Sequence, residues 1–167
     1  MQAFRVVTSA HEDFGEFFGR EYARLARACL LLTGSPAEAE DLAQDALARV
    51  YARWDEVGSM DSPEGYLFRT ALNLNRKRLR RLAVRTRHLG LLVTRREELD
   101  VAEERLDVLR AVAALPRGQR EAVVLVEWLD LDIDEVAELL GIAQASVRGR
   151  LHRARRALRE RFGGSDA

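Results

Sequence analysis

Apolar residues recur at helical spacing along almost the whole chain, and no segment alternates convincingly as a strand. The first helix is predicted to begin at Ser9, where Glu12 completes a capping box, and to end at Gly34. Its apolar face consists of Phe14, Phe18, Tyr22, Leu25, Cys29 and Leu32. The pattern therefore predicts an all-α protein.

A second helix start follows at once. Ser35, Pro36 and Glu38 supply an N-cap, a first-turn proline and a carboxylate at the third helical position. The apolar stripe of this helix consists of Ala39, Leu42, Ala46, Val50 and Trp54. The helix is predicted to extend to about Trp54 and to be followed by a loop over 55–61.

A third, long helix is predicted to begin at Ser62 and Pro63. Its inner face consists of Leu67, Ala71, Leu74 and Leu82. A second face is polar and basic, and it carries Arg69, Asn73, Arg76 and Arg80 at helical spacing. One side is thus expected to pack against the protein while the other remains open to a ligand.

The helical pattern fades beyond Arg87, and residues 88–103 are predicted to form a flexible linker. The linker divides the chain into two small helical domains, 9–87 and 104–162. The first helix of the second domain carries Leu106, Leu109, Val112 and Leu115 and is ended by Pro116. The next helix is predicted from Gln119 to Trp128, with Val123 and Val126 inward and the orientation of Trp128 left open.

The C-terminal part has the pattern of a helix-turn-helix. Asp132 and Glu135 form a capping box, and Gly141 stands where a helix end requires a residue tolerant of positive φ. The helix that follows has an apolar stripe of Val147, Leu151, Ala154 and Leu158. Another face carries Arg148, His152, Arg155 and Arg159. Such a pair of helices is typical of proteins that read DNA.

The charge balance supports this interpretation. The formal net charge is +0, with 27 basic and 27 acidic residues. The charges are nevertheless segregated, since every ionisable residue from Glu127 to Glu138 is acidic and only Glu160 interrupts the arginines from Arg148 to Arg161. This distribution favours nucleic acid as a partner.

Several other classes of protein are disfavoured by the composition. Cys29 is the only cysteine, which excludes an internal disulfide and a cysteine-based metal site and favours core packing over a reactive thiol. Residues 1–10 lack the apolar core of a signal peptide, and no apolar run approaches the ~20 residues of a membrane span. We therefore expect a cytoplasmic protein without a metal, a cofactor or catalytic residues.

Three segments, residues 39–46, 65–73 and 115–155, together resemble the extracytoplasmic-function (ECF) group of the sigma-70 family of bacterial RNA polymerase sigma factors, and actinobacterial members in particular. The resemblance implies a subunit that binds core polymerase and directs promoter recognition and transcription initiation. It implies that the first domain corresponds to sigma region 2 and the second to sigma region 4. It also makes an anti-sigma factor a candidate partner.

The first segment implies a polymerase contact. Glu40, Asp41, Gln44 and Asp45 match the motif that docks on the clamp helices of the largest polymerase subunit, while region 4 is implied to bind the flap of the second-largest subunit. The spacing of Glu40, Asp41, Gln44 and Asp45 puts three carboxylates and an amide on adjacent outward faces of one helix. An ordinary solvated acidic face near a helix N-terminus is the alternative.

The second segment implies recognition of the minus-10 element by Tyr66, Arg69, Asn73, Arg76, Lys77, Arg80 and Arg81. Asn73 is suited to bidentate base recognition, and the basic residues are suited to phosphates. Tyr66 aligns where relatives often have tryptophan, so it either stacks on a base or only packs. For the arginines, a solvated face is the alternative.

The third segment implies recognition of the minus-35 element by Ser146, Arg148, Gly149, His152, Arg153 and Arg156, with Arg156 on a phosphate. His152 either reaches the DNA or is a surface histidine without a specific role. Two positions depart from the family pattern. Ala143 replaces a usual serine or threonine cap, and Gly149 stands where serine is frequent, which lowers helix propensity.

Two other functions remain open to the sequence. One is a free-standing helix-turn-helix transcriptional regulator, which would bind duplex DNA without polymerase. The other is a magnesium-dependent nucleotide hydrolase that uses Glu40, Asp41 and Asp45 together with Glu103, Glu104 and Asp107. The hydrolase hypothesis leaves the helix-turn-helix unexplained.

Overall fold

A computed structural model describes residues 13–89 and 103–163, and its regular structure is entirely helical over these ranges. The first domain contains α1 (Phe14–Thr33), α2 (Pro36–Tyr51), the single turn α3 (Trp54–Val57) and α4 (Pro63–Leu89). The second domain contains α5 (Glu103–Ala113), α6 (Arg117–Val123), α7 (Ile133–Leu140) and α8 (Gln144–Gly163). The predicted fold class is confirmed.

The predicted apolar face of α1 is correct at five of its six residues, and the exception is Phe18. Phe17 is fully buried, whereas Phe18, which was expected on the apolar face, is 40% exposed. Cys29 lies in the core as expected, and burial raises the pKa of its thiol to about 12. The helix ends at Gly34 with φ of 72°, a conformation that favours glycine. The predicted capping box of Ser9 and Glu12 lies outside the described residues.

The start of α2 is as predicted, because the Ser35 hydroxyl accepts a hydrogen bond from the Glu38 backbone N–H at 3.4 Å. The helix ends at Tyr51 rather than near Trp54. Trp54 instead begins α3, so that part of the predicted loop is one helical turn. Its indole packs against the rings of Phe14 and Phe17. The apolar stripe was therefore correct, although the helix is interrupted within it.

Helix α4 begins at Pro63 as predicted, and Leu67 and Ala71 are buried on its inner face. Leu82 is 42% exposed, so its assignment to the inner face was wrong. The helix continues to Leu89, two residues beyond the predicted end of the first domain at residue 87. Most of the predicted linker, residues 90–102, lies outside the described residues.

In the second domain, α6 continues without a break into a π-helical segment, Val124–Trp128. Trp128, whose orientation the sequence left open, is 42% exposed. The capping box before α7 is present, with the Asp132 carboxylate accepting from the Glu135 N–H at 2.7 Å and the Glu135 carboxylate accepting from the Asp132 N–H at 2.8 Å. Gly141 has φ of 66° and separates α7 from α8, which completes the helix-turn-helix.

The two domains pack against each other, and their buried side chains form one continuous apolar cluster. Helix α1 contacts α5, α6 and the π-helical segment. Two arginines bind backbone carbonyls across this boundary, because Arg120 donates to the Leu32 carbonyl at 3.0 Å and Arg24 donates to the Leu129 carbonyl. Burial lowers the pKa of the Arg120 guanidinium, which also donates to the carbonyls of Ala113 and Leu115. The sequence pattern did not predict this contact.

Among the described helices, none is long and apolar enough to cross a membrane.

Candidate polymerase and promoter surfaces

The acidic residues predicted to bind polymerase are all exposed on α2. Gln44 donates a hydrogen bond to the Glu40 carboxylate at 3.1 Å, so these two residues form a pair at i and i+4. Asp41 and Asp45 line a groove of about 470 Å³ whose other wall is α4, including Lys77. The four residues thus divide between an outward face and a groove shared with basic residues.

An aromatic patch adjoins the acidic face of α2. Phe14, Phe18, Tyr22 and Tyr51 surround a shallow depression that Gln44 also lines. The rings of Phe18 and Tyr22 stack with centroids 5.1 Å apart, and Tyr51 is 64% exposed. The sequence pattern did not predict this patch because it placed Phe18 inward, whereas Phe14 and Tyr22 do pack against the core as predicted. The exposed rings make the α2 surface partly apolar rather than uniformly acidic.

Four of the predicted minus-10 residues come together in a second groove, with a volume of about 570 Å³. They are Tyr66, Asn73, Lys77 and Arg80 from α4. The opposite wall contains Arg49, from the last turn of α2, and Arg53, from the turn that follows it. The sequence pattern did not predict these two arginines, although their spacing of four residues at a helix end places them on one face. The groove combines one amide, one phenol ring and four cations.

The other three arginines of the predicted minus-10 set do not line this groove. Arg69 lies near Glu138 of α7, with Nη2 3.9 Å from the carboxylate. Arg81 lines the groove that contains Asp41 and Asp45. Arg76 contacts the second domain. The predicted basic face is therefore not one continuous surface, because its side chains meet different neighbouring helices: α7 at Arg69, α6 at Arg76 and α2 at Arg81.

Arg76 is bound by Glu121 of α6 through two hydrogen bonds, Nε to Oε1 at 3.1 Å and Nη2 to Oε2 at 2.8 Å. Arg117 donates to the same carboxylate at 2.9 Å. Glu121 is 3% exposed. Burial raises the pKa of its carboxyl, but the hydrogen bonds from Arg76 and Arg117 outweigh burial and hold the pKa below its ordinary value. The carboxylate is thus charged and fully engaged.

The predicted minus-35 residues lie on α8, where all but the half-buried Gly149 are exposed. Val147 and Leu151 are buried beneath them and fix the helix against the domain. Arg148 donates to Gln144 at 3.3 Å, and Arg156 pairs with Glu160 at 2.8 Å, both along the same helix. A side chain can leave such an exposed pair at little cost. The basic face of α8 is therefore open to solvent.

Arg155 behaves differently from its neighbours on α8. Its Nε donates to Glu127 of the π-helical segment at 2.9 Å, and Nη2 binds the same oxygen. Arg150, also outside the predicted set, packs its guanidinium against Gly118, where an added Cβ would lie 3.1 Å from it. These two arginines hold α8 against the rest of the second domain.

The acidic residues of the hydrolase hypothesis are described only in part, because the side chains of Glu103 and Glu104 lie outside the described residues. Among the described side chains, no group of three histidine, cysteine, aspartate or glutamate residues is arranged to hold a metal ion. Asp107 pairs instead with Arg110 at 3.7 Å. The described structure gives this hypothesis no support.

These features define a two-domain helical protein with a helix-turn-helix, an acidic face on α2 and a groove rich in basic residues beside α4. Two family models match the chain, sigma-70 region 2 over residues 17–85 and sigma-70 region 4 over residues 105–158. Together they cover both domains. The chain belongs to the ECF group of the sigma-70 family, and it is an RNA polymerase sigma factor rather than an enzyme.

Individual relatives agree with this assignment. The chain is 34% identical to the RNA polymerase sigma-E factor of Streptomyces coelicolor over 158 residues, which cover 89% of this chain and 85% of the relative. It is 32% identical to the ECF sigma factor SigL of Mycobacterium tuberculosis over 144 residues, which cover 82% of this chain and 81% of the relative. The similar relatives include actinobacterial ones, as the sequence predicted.

Two solved structures resemble the fold. The sigma factor RpoE in complex with the anti-sigma factor NepR from Bartonella quintana has a TM-score of 0.77 at 24% identity, covering 93% of this chain and 99% of that chain. CnrH in complex with the cytosolic domain of CnrY has a TM-score of 0.66 at 25% identity, covering 92% and 89%. The likeness of RpoE extends over both domains and shows the shared fold.

Proposed function

We propose that this sigma factor uses three surfaces: the α2 face for core polymerase, the groove beside α4 for the minus-10 element, and the exposed face of α8 for the minus-35 element. Its family membership displaces the free-standing regulator considered from the sequence. The groove lined by Tyr66, Asn73 and four cations is the observation that carries the proposal. Such a combination suits an unpaired base and its neighbouring phosphates.

The polymerase contact is assigned to Glu40, Asp41, Gln44 and Asp45, with the clamp helices of the largest subunit as the partner. The carboxylates are exposed and suit a basic partner. The outward pair of Glu40 and Gln44 adjoins the exposed ring of Tyr51, so the surface offers both charge and apolar area. Interfaces with an aromatic anchor inside a polar surround bind most strongly at the anchor.

Minus-10 recognition is assigned to Tyr66, Arg69, Asn73, Arg76, Lys77, Arg80 and Arg81. Asn73 is exposed at the groove and can offer both a donor and an acceptor to a base edge. Lys77 and Arg80 are exposed nearby for phosphates. Arg76 already gives two of its five N–H groups to Glu121 and its side chain is only 21% exposed, so we expect its use on DNA to require the interdomain contact to open.

Minus-35 recognition is assigned to Ser146, Arg148, Gly149, His152, Arg153 and Arg156, with α8 in the major groove. Arg148, His152 and Arg153 are exposed on a helix whose opposite side is buried, which is the arrangement that base reading requires. The second domain also binds the polymerase flap in this proposal. Because both domains are held by one polymerase, each gains effective concentration from the other and needs only modest affinity.

An anti-sigma factor is a further proposed partner. RpoE of Bartonella quintana was solved with the anti-sigma factor NepR, and CnrH with the cytosolic domain of CnrY. The exposed aromatic and acidic surfaces of this chain offer area for such an inhibitor. We expect the protein to act in the cytoplasm, where polymerase and promoters are.

Reconstitution with an actinobacterial core polymerase tests the proposal. Purified protein should direct transcription from a defined set of genomic start sites, and mapping these transcripts would reveal both promoter elements.

Asp41→Arg and Asp45→Arg should weaken core binding at least tenfold, because like charges across an interface cost several kcal/mol. Glu16→Arg, an exposed reversal elsewhere in the first domain, should leave it unchanged. Failure of the wild-type protein to bind core would overturn the proposal.

A further inference from the structure

The groove beside α4 has a wall that no promoter contact has been assigned to. This wall is formed by Arg49 and Arg53, at the junction of α2 and α3. It lines the same groove as Tyr66 and Asn73. The two arginines come from a segment distant in sequence from the α4 residues, so only the packing of α2 against α4 brings them to the same site.

Arg53 is tied directly to Tyr66. Its Nη1 donates a hydrogen bond to the Tyr66 hydroxyl at 2.9 Å, and its guanidinium carbon lies 5.8 Å from the centre of the Tyr66 ring. Its Nη2 binds the Glu56 carboxylate at 2.6 Å, which holds the guanidinium from the other side. Tyr66 is thereby fixed both at its hydroxyl and at its ring.

This geometry leaves binding capacity on both residues. A guanidinium has five N–H donors, and the bonds to Tyr66 and Glu56 use only two of them. The Arg53 side chain is 54% exposed, so the remaining donors can exchange water for a phosphate at small cost. A tyrosine ring whose orientation is fixed has less entropy to lose when a base stacks on it.

We infer that Arg53 is a promoter-contacting residue: it positions the Tyr66 ring as a stacking platform for an unpaired minus-10 base and binds the adjacent phosphate of the single strand. The inference rests on the proposed function of the groove and extends it to a residue outside the family motif. Arg49 supplies a second cation on the same wall. The ligand is single-stranded DNA, because a stacked base beside a phosphate is presented only by an unpaired strand.

The alternative is that Arg53 only stabilises the α3 turn through Glu56. The test uses holoenzyme reconstituted with the full chain and a non-template oligonucleotide that carries the minus-10 element found by transcript mapping. Adenines in that element are replaced one at a time by 2-aminopurine, whose fluorescence falls on stacking. Arg53→Ala, Tyr66→Phe and the double variant are compared with Arg27→Ala, which removes an exposed arginine of α1 outside the groove.

Arg53→Ala should weaken oligonucleotide binding by about tenfold and restore fluorescence at one position, since stacking of one base on an aromatic ring accounts for an effect of that size. The slope of the logarithm of the binding constant against the logarithm of the salt concentration should decrease in magnitude by about one, because one phosphate contact is lost. Tyr66→Phe should keep the salt slope but lose part of the affinity. The double variant should bind the oligonucleotide more weakly than Arg53→Ala does. The further loss should be smaller than the loss that Tyr66→Phe causes in the otherwise wild-type protein.

Arg53→Lys keeps a positive charge and should retain the salt slope while it restores little of the stacking signal. This variant and Tyr66→Phe preserve the test if Arg53→Ala unfolds the domain. The inference would be overturned if Arg53→Ala had the same affinity, fluorescence and salt slope as Arg27→Ala. Wild-type holoenzyme that fails to bind the oligonucleotide would instead overturn the proposed function of the groove, so the two failures are distinguishable.

Discussion

Arg76 of the first domain and Glu121 of the second are joined by two parallel hydrogen bonds at 3.1 and 2.8 Å. The carboxylate is buried, and the arginine belongs to the helix that is proposed to bind the minus-10 element. A bidentate pair of this kind is directional and is strong when water is excluded. It therefore couples the contact between the domains to the availability of a proposed DNA ligand.

Replacing Glu121 by glutamine should destabilise the protein by about 3 kcal/mol, because removal of one partner leaves the buried end of Arg76 without its counter-charge. Urea unfolding measures the change. Glu138→Gln is the matched control, since Glu138 is 80% exposed and lies 3.9 Å from Arg69; it should change the stability by less than about 0.5 kcal/mol. Equal, small effects of both variants would show that the Arg76 contact does not form in solution.

The same pair predicts how stability depends on acid. The pKa of the Glu121 carboxyl is below its ordinary value of 4.5, so its contribution is complete above that pH and is lost as pH falls through the lowered pKa. The urea concentration at the midpoint of unfolding should therefore decrease more steeply with falling pH, from pH 6 downward, for the wild-type protein than for Glu121→Gln. Parallel curves would mean that Glu121 has the same pKa in the folded and unfolded states.

Cys29 should be chemically inert in the folded protein. Burial raises the pKa of its thiol to about 12, and the thiolate is the species that reacts. A thiol reagent at pH 8 should label the native protein only as fast as it opens, and the labelling should become rapid in denaturing urea. Rapid labelling of the native protein, at the rate of a free cysteine, would contradict the burial of α1.

Two glycines, Gly141 before α8 and Gly149 within it, should respond in opposite ways to alanine. At Gly149 an added Cβ would lie no closer than 3.5 Å to the Arg153 guanidinium, so Gly149→Ala should stabilise the protein by about 0.5–1 kcal/mol through helix propensity. At Gly141 φ is +66°, so alanine there should cost about 1 kcal/mol or more. Thermal unfolding measures both; destabilisation by Gly149→Ala would mean that α8 needs the glycine for another reason.

Local sequence signals located most of the helices. The caps at Ser35 and Asp132 and the stops at Gly34 and Gly141 depend on hydrogen bonds within a few residues, and each is present in the structure. Periodicity was less exact where an apolar stripe is wide. It placed Phe18 and Leu82 inside although both are exposed, and it missed Phe17, because neighbouring apolar residues leave the direction of the buried face ambiguous.

By itself the sequence determined the helical fold, its two domains, the helix-turn-helix and the family, because periodicity, caps and motifs are properties of contiguous residues. Only the tertiary structure decided which basic residues share a surface. It brought Arg53 into hydrogen-bonding contact with Tyr66. It also placed Asn73 in the groove and Arg76 on Glu121 of the second domain, although Asn73 and Arg76 lie on one helix. The physical reason is that a groove or a buried ion pair needs side chains from separate helices, and their relative placement depends on core packing rather than on local spacing.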